Sequence, residues 1–286
     1  MYNIMKFLAI IEGTIREGLA KKTILGMFIV STIGIVIAIF LFQMDSVQHG
    51  LLSPAGTHMY KGRNAPPPTA MLGVTVLDFV WMIISSFLLL ISIFVGSFVT
   101  TGFITSLMEK GSIDLLLSKP VSRWVYIAGR YTGAVLIILV EVAYFVAGLW
   151  LTAGLSLGSW SPAFLSSIVF ITLSFAGVYG LVTLIGILTR SSWFAIIIGL
   201  ALYIIASVVV PIGEFLDRLL NGTETTGVLT VIAKIFHYTI PSQGMGATLT
   251  KVLTGQPADY TPVFLTFGVA LAYLALSCYA FSRKEF

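Results

Sequence analysis

Long uninterrupted apolar segments are the dominant pattern along this chain. Six of them approach or exceed the roughly 20 residues that a helix needs to cross a hydrocarbon core of about 30 Å. They are residues 23–42, 79–105, 126–151, 163–188, 193–211 and 263–281. Polar and apolar residues do not alternate within them, as they would in the strands of a transmembrane barrel. Because lipid offers the backbone no hydrogen-bond partner, we predict six transmembrane helices.

The first 22 residues show a different pattern, that of an amphipathic helix. Apolar residues recur at helical spacing on one face, and most charged residues lie elsewhere on the helix. The apolar positions are Ile4, Leu8, Ile11, Ile15 and Leu19. We predict that residues 1–22 form a helix lying in the membrane interface. An ordinary surface helix packed on protein is the alternative.

A second amphipathic region lies between the fifth and sixth spans. Residues 213–262 contain two apolar-periodic pieces, Val228–Tyr238 and Met245–Leu253, which are separated by Pro241. We predict that these pieces form short re-entrant helices that dip into the outer leaflet. There they would form an outer gate or a docking surface for an extracytoplasmic partner.

The composition supports a membrane protein. Hydrophobic residues make up 57% of the 286 residues and charged residues only 10%, whereas a soluble domain carries about 25% charged residues. These values exclude a soluble globular domain, a disordered chain and a collagen-like fibre. With Cys278 as its one cysteine, the chain cannot form an internal disulfide. The predicted fold class is an all-α integral membrane protein, with a single transmembrane domain over residues 1–286.

Positively charged residues are distributed unevenly between the two sides that six spans define. With the N-terminus inside, the cytoplasmic segments hold eleven of the 16 Lys and Arg residues. The longer outer segments hold five, namely Lys61, Arg63, Arg218, Lys234 and Lys251. By the positive-inside rule, both termini are predicted to face the cytoplasm.

Several kinds of catalytic and metal-binding motif are absent from the sequence. It contains no G-x-x-x-x-G-K-[ST] phosphate loop, no H-E-x-x-H and no paired-cysteine metal site. We therefore predict no catalytic residue, no cofactor, no metal site and no nucleic-acid partner in this chain, which is typical of a transport subunit rather than an enzyme. Two alternatives remain open: a proton-coupled secondary transporter, and a membrane enzyme or scaffold that does not transport.

Glu141 is the charged residue that lies deepest in a predicted span. It is twelve positions beyond Gly129, or about 18 Å along a helix, and an ionised carboxylate at that depth costs at least ~2.5–3.5 kcal/mol. We predict that it faces the bundle interior, a partner protomer or a water-filled path. It serves either as a substrate or gating contact, or as a neutral hydrogen-bonding group that holds the bundle together. Arg130 lies nearer the cytoplasmic end and is predicted to anchor the span at the interface.

Small residues indicate where helices can approach each other closely. Gly129 and Gly133 lie one turn apart at the start of the third span, and Gly177 and Gly180 are similarly spaced in the fourth. Such small-residue pairs favour close helix packing in membranes. Glycine is also common in membrane helices, so neither pair identifies a dimer interface by itself.

The segment between the second and third spans carries the most specific pattern. It reads MEKGSIDLLLSKPVSRWVYIAGRY over residues 108–131. Charged Glu109 and Lys110 follow the apolar span, and a short amphipathic run comes next. Pro120 ends that run because proline disfavours a helical residue before it, and Ser122 is placed to cap the next helix. We predict a short cytoplasmic helix held between two spans, on which a soluble partner can push; a plain helical connector is the alternative.

This segment resembles the cytoplasmic loop of type-2 ATP-binding cassette permeases. The usual form in that family is E-x-G-T-L-x-x-L-L-[ST]-x-P-x-x-R, often followed by G-K. The matching positions here are Glu109, Gly111, Ser112, Ile113, Leu116, Leu117, Ser118, Pro120, Arg123, Gly129 and Arg130. Ser112, Ile113 and Arg130 are mild departures from that form. The resemblance is closest to the subgroup that includes the permease of nitrous-oxide-reductase maturation, and the order of predicted elements agrees with the family.

The resemblance implies a transporter in a prokaryotic plasma membrane that is driven by a separate ATPase. Two such permeases, identical or related, pair, and each binds a cytoplasmic ATP-binding cassette subunit that holds ATP and Mg²⁺. Residues 106–124 would be the coupling helix, and the amphipathic N-terminal helix would brace the ATPase. The residues implied in coupling are Glu109, Lys110, Gly111, Ser112, Asp114, Leu116, Leu117, Pro120 and Arg123. The implied activity is mostly export, or mechanical work at the outer face.

Overall fold

Helices are the only regular elements in the described part of the protein. The computed structural model describes residues 2–20, 22–43, 76–105, 122–158, 160–219 and 227–283. The helices are α1 (Tyr2–Ala20), α2 (Thr23–Gln43), α3 (Val76–Thr105), α4 (Arg123–Leu157), α5 (Pro162–Leu165), α6 (Ser167–Thr189), α7 (Ser192–Leu219), α8 (Gly227–Thr239), α9 (Met245–Leu253) and α10 (Thr261–Arg283). The predicted all-α membrane fold is confirmed for these residues.

Five stretches of helix within the described residues are long and apolar enough to cross a membrane. They lie in α3, in α4, in α5 together with α6, in α7 and in α10. A sixth is obtained if α1 and α2, which meet at an angle of 68°, count as one bent span. Helix α2 (Thr23–Gln43) covers the first predicted span, residues 23–42. Helix α7 continues through Pro211 to Leu219, which membrane helices tolerate because neighbouring groups satisfy the freed carbonyl.

Helix α6 lies at the centre of the bundle. It packs against α3, α4, α7 and α10. In the span that α5 and α6 form together, 72% of the most apolar stretch is buried inside the bundle, whereas the same share is 17–39% in the other four spans. The ring of Tyr179 stacks on two other rings. Its centroid lies 5.3 Å from that of Phe175, also on α6, and 5.4 Å from that of Tyr131 on α4. The Tyr131 hydroxyl donates to the Ala176 carbonyl at 2.6 Å and the Tyr179 hydroxyl to the Thr100 carbonyl at 3.0 Å. Since buried tyrosines need such partners, these bonds fix α4 and α3 on α6.

Both ends of α4 are set by local backbone geometry. Ser122 is the N-cap residue, with φ −68° and ψ 136°. The predicted cap position is confirmed, and the Ser122 hydroxyl makes no capping hydrogen bond. The first turn closes through the Tyr126 N–H, which donates to the Ser122 carbonyl at 3.3 Å. At the other end Gly158 adopts a left-handed φ of 66°, and its N–H bonds the Gly154 carbonyl at 3.1 Å.

Helix α1 packs lengthwise on α4 through small residues. A Cβ atom at Gly129 would lie 2.8 Å from Ile10, and one at Gly133 would lie 2.9 Å from Thr14. The opposite face of α1 is open and mixed: Leu8 is 57% exposed, and the ion-paired side chains of Glu12 and Arg16 are 62% and 77% exposed. One face of the helix therefore lies on protein, and its location in the membrane interface stays a prediction.

Helices α8 and α9, which pack mainly on α7 and α3 respectively, are joined by a turn that reaches the middle of α6. A Cβ atom at Gly177 would lie 2.6 Å from Pro241 in that turn, and Gly177 is about 15 Å along α6 from its first residue. The turn is also bonded to α10: the Ser242 N–H donates to Thr266 Oγ1 at 3.1 Å, and the Tyr273 hydroxyl donates to the Thr239 carbonyl at 2.7 Å. The two predicted short helices are present, and their turn is inserted between α6 and α10.

The connection from α9 to α10 is fixed by hydrogen bonds around Asp259. Thr248 Oγ1 of α9 donates to the Asp259 carbonyl at 3.0 Å. The carboxylate accepts from the Thr261 N–H at 3.0 Å and from the Thr261 hydroxyl at 2.6 Å. These bonds from Thr261 favour the ionised form and lower the pKa of Asp259.

Candidate functional site

Most of the predicted coupling residues lie outside the described residues. Arg123 is described, and it is the first residue of α4. The other predicted residues fall between α3 and α4: Glu109, Lys110, Gly111, Ser112, Asp114, Leu116, Leu117 and Pro120. The described residues on either side, Thr105 and Ser122, are the points at which this segment joins the bundle.

Glu141 lies near the middle of α4 and is almost fully enclosed. Its side chain is 6% exposed, as expected for a carboxyl group on a long apolar helix that turns away from lipid. The hydroxyl of Ser31 on α2 donates to Glu141 Oε1. The second oxygen, Oε2, is buried and has no hydrogen-bond partner among the described residues. The carboxyl group thus both links two helices and keeps one oxygen uncommitted.

Helix α2 is held on α4 by close contacts around this bond. A Cβ atom at Gly34 would lie 2.9 Å from the ring of Phe145, and Gly148 of α4 lies against Ile35. One turn from Glu141, Tyr144 and Thr32 share a hydrogen bond of 2.9 Å between their hydroxyls. These contacts fix the position of Ser31 relative to Glu141.

A groove of about 500 Å³ lies beside the Glu141 carboxyl group. Helices α2 and α3 form its walls, and α4 forms most of its floor. Among the described residues, its polar lining consists of Ser31, Ser92 and Glu141; the other described lining residues are apolar, and none of them is basic. The side chains of Val30 and Phe87 at the rim are 69% and 63% exposed. The groove therefore opens on the outer side of the helix bundle, the side that lipid surrounds.

Arg130 forms a second polar cluster nearer the N-terminal end of α4. It pairs with the carboxylate of Glu17 on α1, and its Nη2 donates to the Tyr126 hydroxyl at 3.0 Å. Both charged side chains are largely enclosed, at 15% and 25% exposed. The predicted anchor at Arg130 therefore includes an ion pair to another helix, and this partner was not recognised in the sequence.

Two sequence signals could have found these partners. Ser31 and Thr32 are a polar pair in the centre of the otherwise apolar first span, where unsatisfied hydroxyl groups are unfavourable. Glu17 follows Ile10 and Thr14 at helical spacing, on the side of α1 that packs against the glycines of α4. Which polar residue on another span would face each of them depends on how the helices pack.

Among the described residues, no group of three His, Cys, Asp or Glu side chains is arranged to hold a metal ion. The chemistry at Glu141 is therefore that of one carboxyl group. It can hold a proton, accept a hydrogen bond at Oε2 or pair with a cation that enters the groove.

Comparison with known proteins assigns the family. A search of curated proteins finds no match to this chain. The family model described as ABC-2 family transporter protein matches residues 8–286, from within α1 to the last residue, and so includes both the segment between α3 and α4 and the Glu141 groove. The chain therefore belongs to the ABC-2 family of transporter proteins.

Proposed function

We propose that this chain is the permease subunit of an ATP-binding cassette exporter that uses ATP hydrolysed by a separate cytoplasmic subunit. The family match over residues 8–286 carries the proposal. ABC-2 permeases are membrane transport components that are generally not themselves catalytic and that generally pair with an ATP-binding subunit. In this arrangement ATP and Mg²⁺ bind the partner, and two permease copies, identical or related, form the transport path with both termini in the cytoplasm.

The coupling helix of the proposal lies within residues 106–124. Its supporting observation is the motif at Glu109–Arg123, which joins α3 to α4. A force applied there acts on both helices, and these helices supply one wall and most of the floor of the Glu141 groove. ATP binding in the partner would then change the groove through a difference in contact between the ATP-bound and free states.

Two finer assignments belong to the same proposal. The motif supports membership of the subgroup that includes the permease of nitrous-oxide-reductase maturation. Helices α8 and α9 are suited to act as a gate on the outer side or to bind an extracytoplasmic partner. The supporting observation is that their turn lies against the middle of α6.

The test is co-expression with the ATP-binding cassette ATPase subunits of the same genome. We expect the two subunits to co-purify and the permease to stimulate ATP hydrolysis in nanodiscs. Separate purification, together with an unchanged ATPase rate, would overturn the proposal.

A second candidate function, proton-coupled secondary transport, is favoured by one observation. Glu141 is a buried carboxyl group with an uncommitted oxygen next to a groove, which is suited to carry a proton. Proteoliposomes that contain the chain alone distinguish the two: accumulation driven by an imposed pH gradient supports this candidate, and ATP-dependent transport only in the presence of the ATPase supports the first.

A further inference from the structure

The groove beside Glu141 has a composition that selects for one kind of ligand. Its lining is apolar except for Ser31, Ser92 and the Glu141 carboxyl group. Its volume of about 500 Å³ lies within the range of sites for small organic molecules. Because the rim is open on the lipid side, the ligand can enter from the bilayer without passing through water.

The carboxyl group determines which polar group the ligand carries. Oε1 already accepts the Ser31 hydroxyl, and Oε2 is buried without a partner. An anion is disfavoured because no basic residue among the described lining residues would pair with it, and because its charge would repel Glu141 whenever that carboxyl group is ionised. A cation is favoured because it pairs with the carboxylate where water is excluded.

We propose that this groove binds amphiphilic amines, molecules with one basic nitrogen attached to an apolar body, and that they are the class of cargo of the transporter. The nitrogen lies at Glu141 Oε2, and the apolar body lies between α2 and α3 against side chains such as Leu88 and Val142. As an assignment of cargo, this inference rests on the proposed function. The binding site itself does not depend on it.

The proton that the amine gains on binding comes from Glu141 itself. An uncharged amine dissolves in the bilayer and reaches a neutral Glu141. The O–H bond at Oε2 breaks, an N–H bond forms on the amine, and the resulting ammonium ion pairs with the carboxylate. Oε1 keeps its hydrogen bond from Ser31 throughout. No proton from water and no further reactant are needed.

Binding is measured by native mass spectrometry of the purified chain with dodecylamine, and with dodecanol as the uncharged ligand of matched length. We expect one amine to bind per chain. Glu141→Gln keeps the shape but not the charge, and it should weaken amine binding by about tenfold or more, as for loss of a hydrogen bond to a charged group. Dodecanol binding should be weaker in the wild-type protein and unchanged in the variant.

A steric variant tests the location independently. Ser92→Phe places a ring in the groove, and Ser86→Phe makes the same change on the same helix at a position that does not line it. We expect Ser92→Phe to abolish amine binding and Ser86→Phe to leave it intact. Equal amine binding by wild-type protein and Glu141→Gln overturns the inference, as does equal sensitivity to the two Phe variants. Binding by monomers but not by dimers would assign the groove to a second copy and also overturns it.

The ATPase complex tests the assignment as cargo. Dodecylamine should stimulate ATP hydrolysis by the wild-type complex and not by the Glu141→Gln complex. If the subunits fail to co-purify while the amine still binds, the proposed function fails and the site stands. If the subunits co-purify but the amine does not bind or does not stimulate hydrolysis, this inference fails and the proposed function stands.

Discussion

Glu141 is the residue at which one substitution can separate a structural role from a functional one. Oε1 accepts the Ser31 hydroxyl and so connects α4 to α2, whereas Oε2 is uncommitted. Glu141→Gln preserves the shape and an acceptor while removing the possible charge. We expect transport to fall about tenfold or more while the complex still assembles. Transport is measured in proteoliposomes, and a normal rate from assembled Glu141→Gln complex would restrict the residue to holding helices together.

The ion pair between Glu17 and Arg130 should hold α1 on α4. Glu17→Lys places like charges together, and we expect it to destabilise the protein by about 1–2 kcal/mol, less than the roughly 3–5 kcal/mol of a fully buried pair, because both side chains retain some exposure. Unfolding in detergent and proteolysis of α1 measure the effect.

A matched control for this change lies on the same helix. Glu12 pairs with Arg16 at 2.6 Å, but the two side chains are 62% and 77% exposed. Glu12→Lys should therefore have little effect on stability. Adding Arg130→Glu to Glu17→Lys should restore part of the loss, and no restoration would show that the charge pairing does not hold α1 in place.

At the scale of the element, the coupling helix has the clearest functional test. A buried leucine contributes about 1.5–3 kcal/mol, so removal of two should weaken docking of the ATPase by tens-fold or more. We expect Leu116→Ala combined with Leu117→Ala, or Glu109→Lys, to abolish co-purification and stimulated ATP hydrolysis while the protein still inserts. Leu155→Ala near the far end of α4, where Leu155 is 80% exposed, is the control. Wild-type behaviour of the double variant would make this segment a connector.

The packing of the α8–α9 turn against α6 should depend on the absence of a side chain at Gly177. A valine there would meet Pro241, since a Cβ atom already lies within 2.6 Å of it, and overpacking of this kind costs about 1–3 kcal/mol. Gly268→Val on α10, where nothing lies within 4 Å of a Cβ atom, is the matched control. We expect thermal unfolding to occur at a lower temperature for Gly177→Val than for Gly268→Val. Equal midpoints would mean that the turn is loosely held.

The helices themselves could be predicted because the sequence pattern that determines each one lies within a single continuous segment. Apolar length identifies the spans, and periodicity around Pro241 identifies α8 and α9. The groove could not be predicted, since it depends on how far apart α2 and α3 lie on α4. The partners of Glu141 and Arg130 lie more than 100 residues away in the chain, and only three-dimensional packing decides which of several polar residues meets each of them.

At the scale of the whole molecule, the orientation in the membrane is open to a direct test. The excess of Lys and Arg in the segments assigned to the cytoplasm predicts that both termini lie there. A fluorescent protein fused after Phe286 should be bright, and a phosphatase that requires the periplasm should be inactive at the same position. The reverse result would contradict six spans.

The central position of α6 also bears on how the protein is made. α6 leaves the ribosome before α7 and α10, yet these two helices cover much of its surface. Polar side chains on α6 such as Ser174 and Thr183 are almost fully enclosed in the finished bundle and are suited to contact with helices rather than with lipid. During synthesis the face of α6 that α10 covers therefore stays in contact with lipid or the insertion machinery until α10 is inserted. A chain interrupted before α10 would leave one face of its middle helix uncovered and accessible to the proteases that remove incomplete membrane proteins.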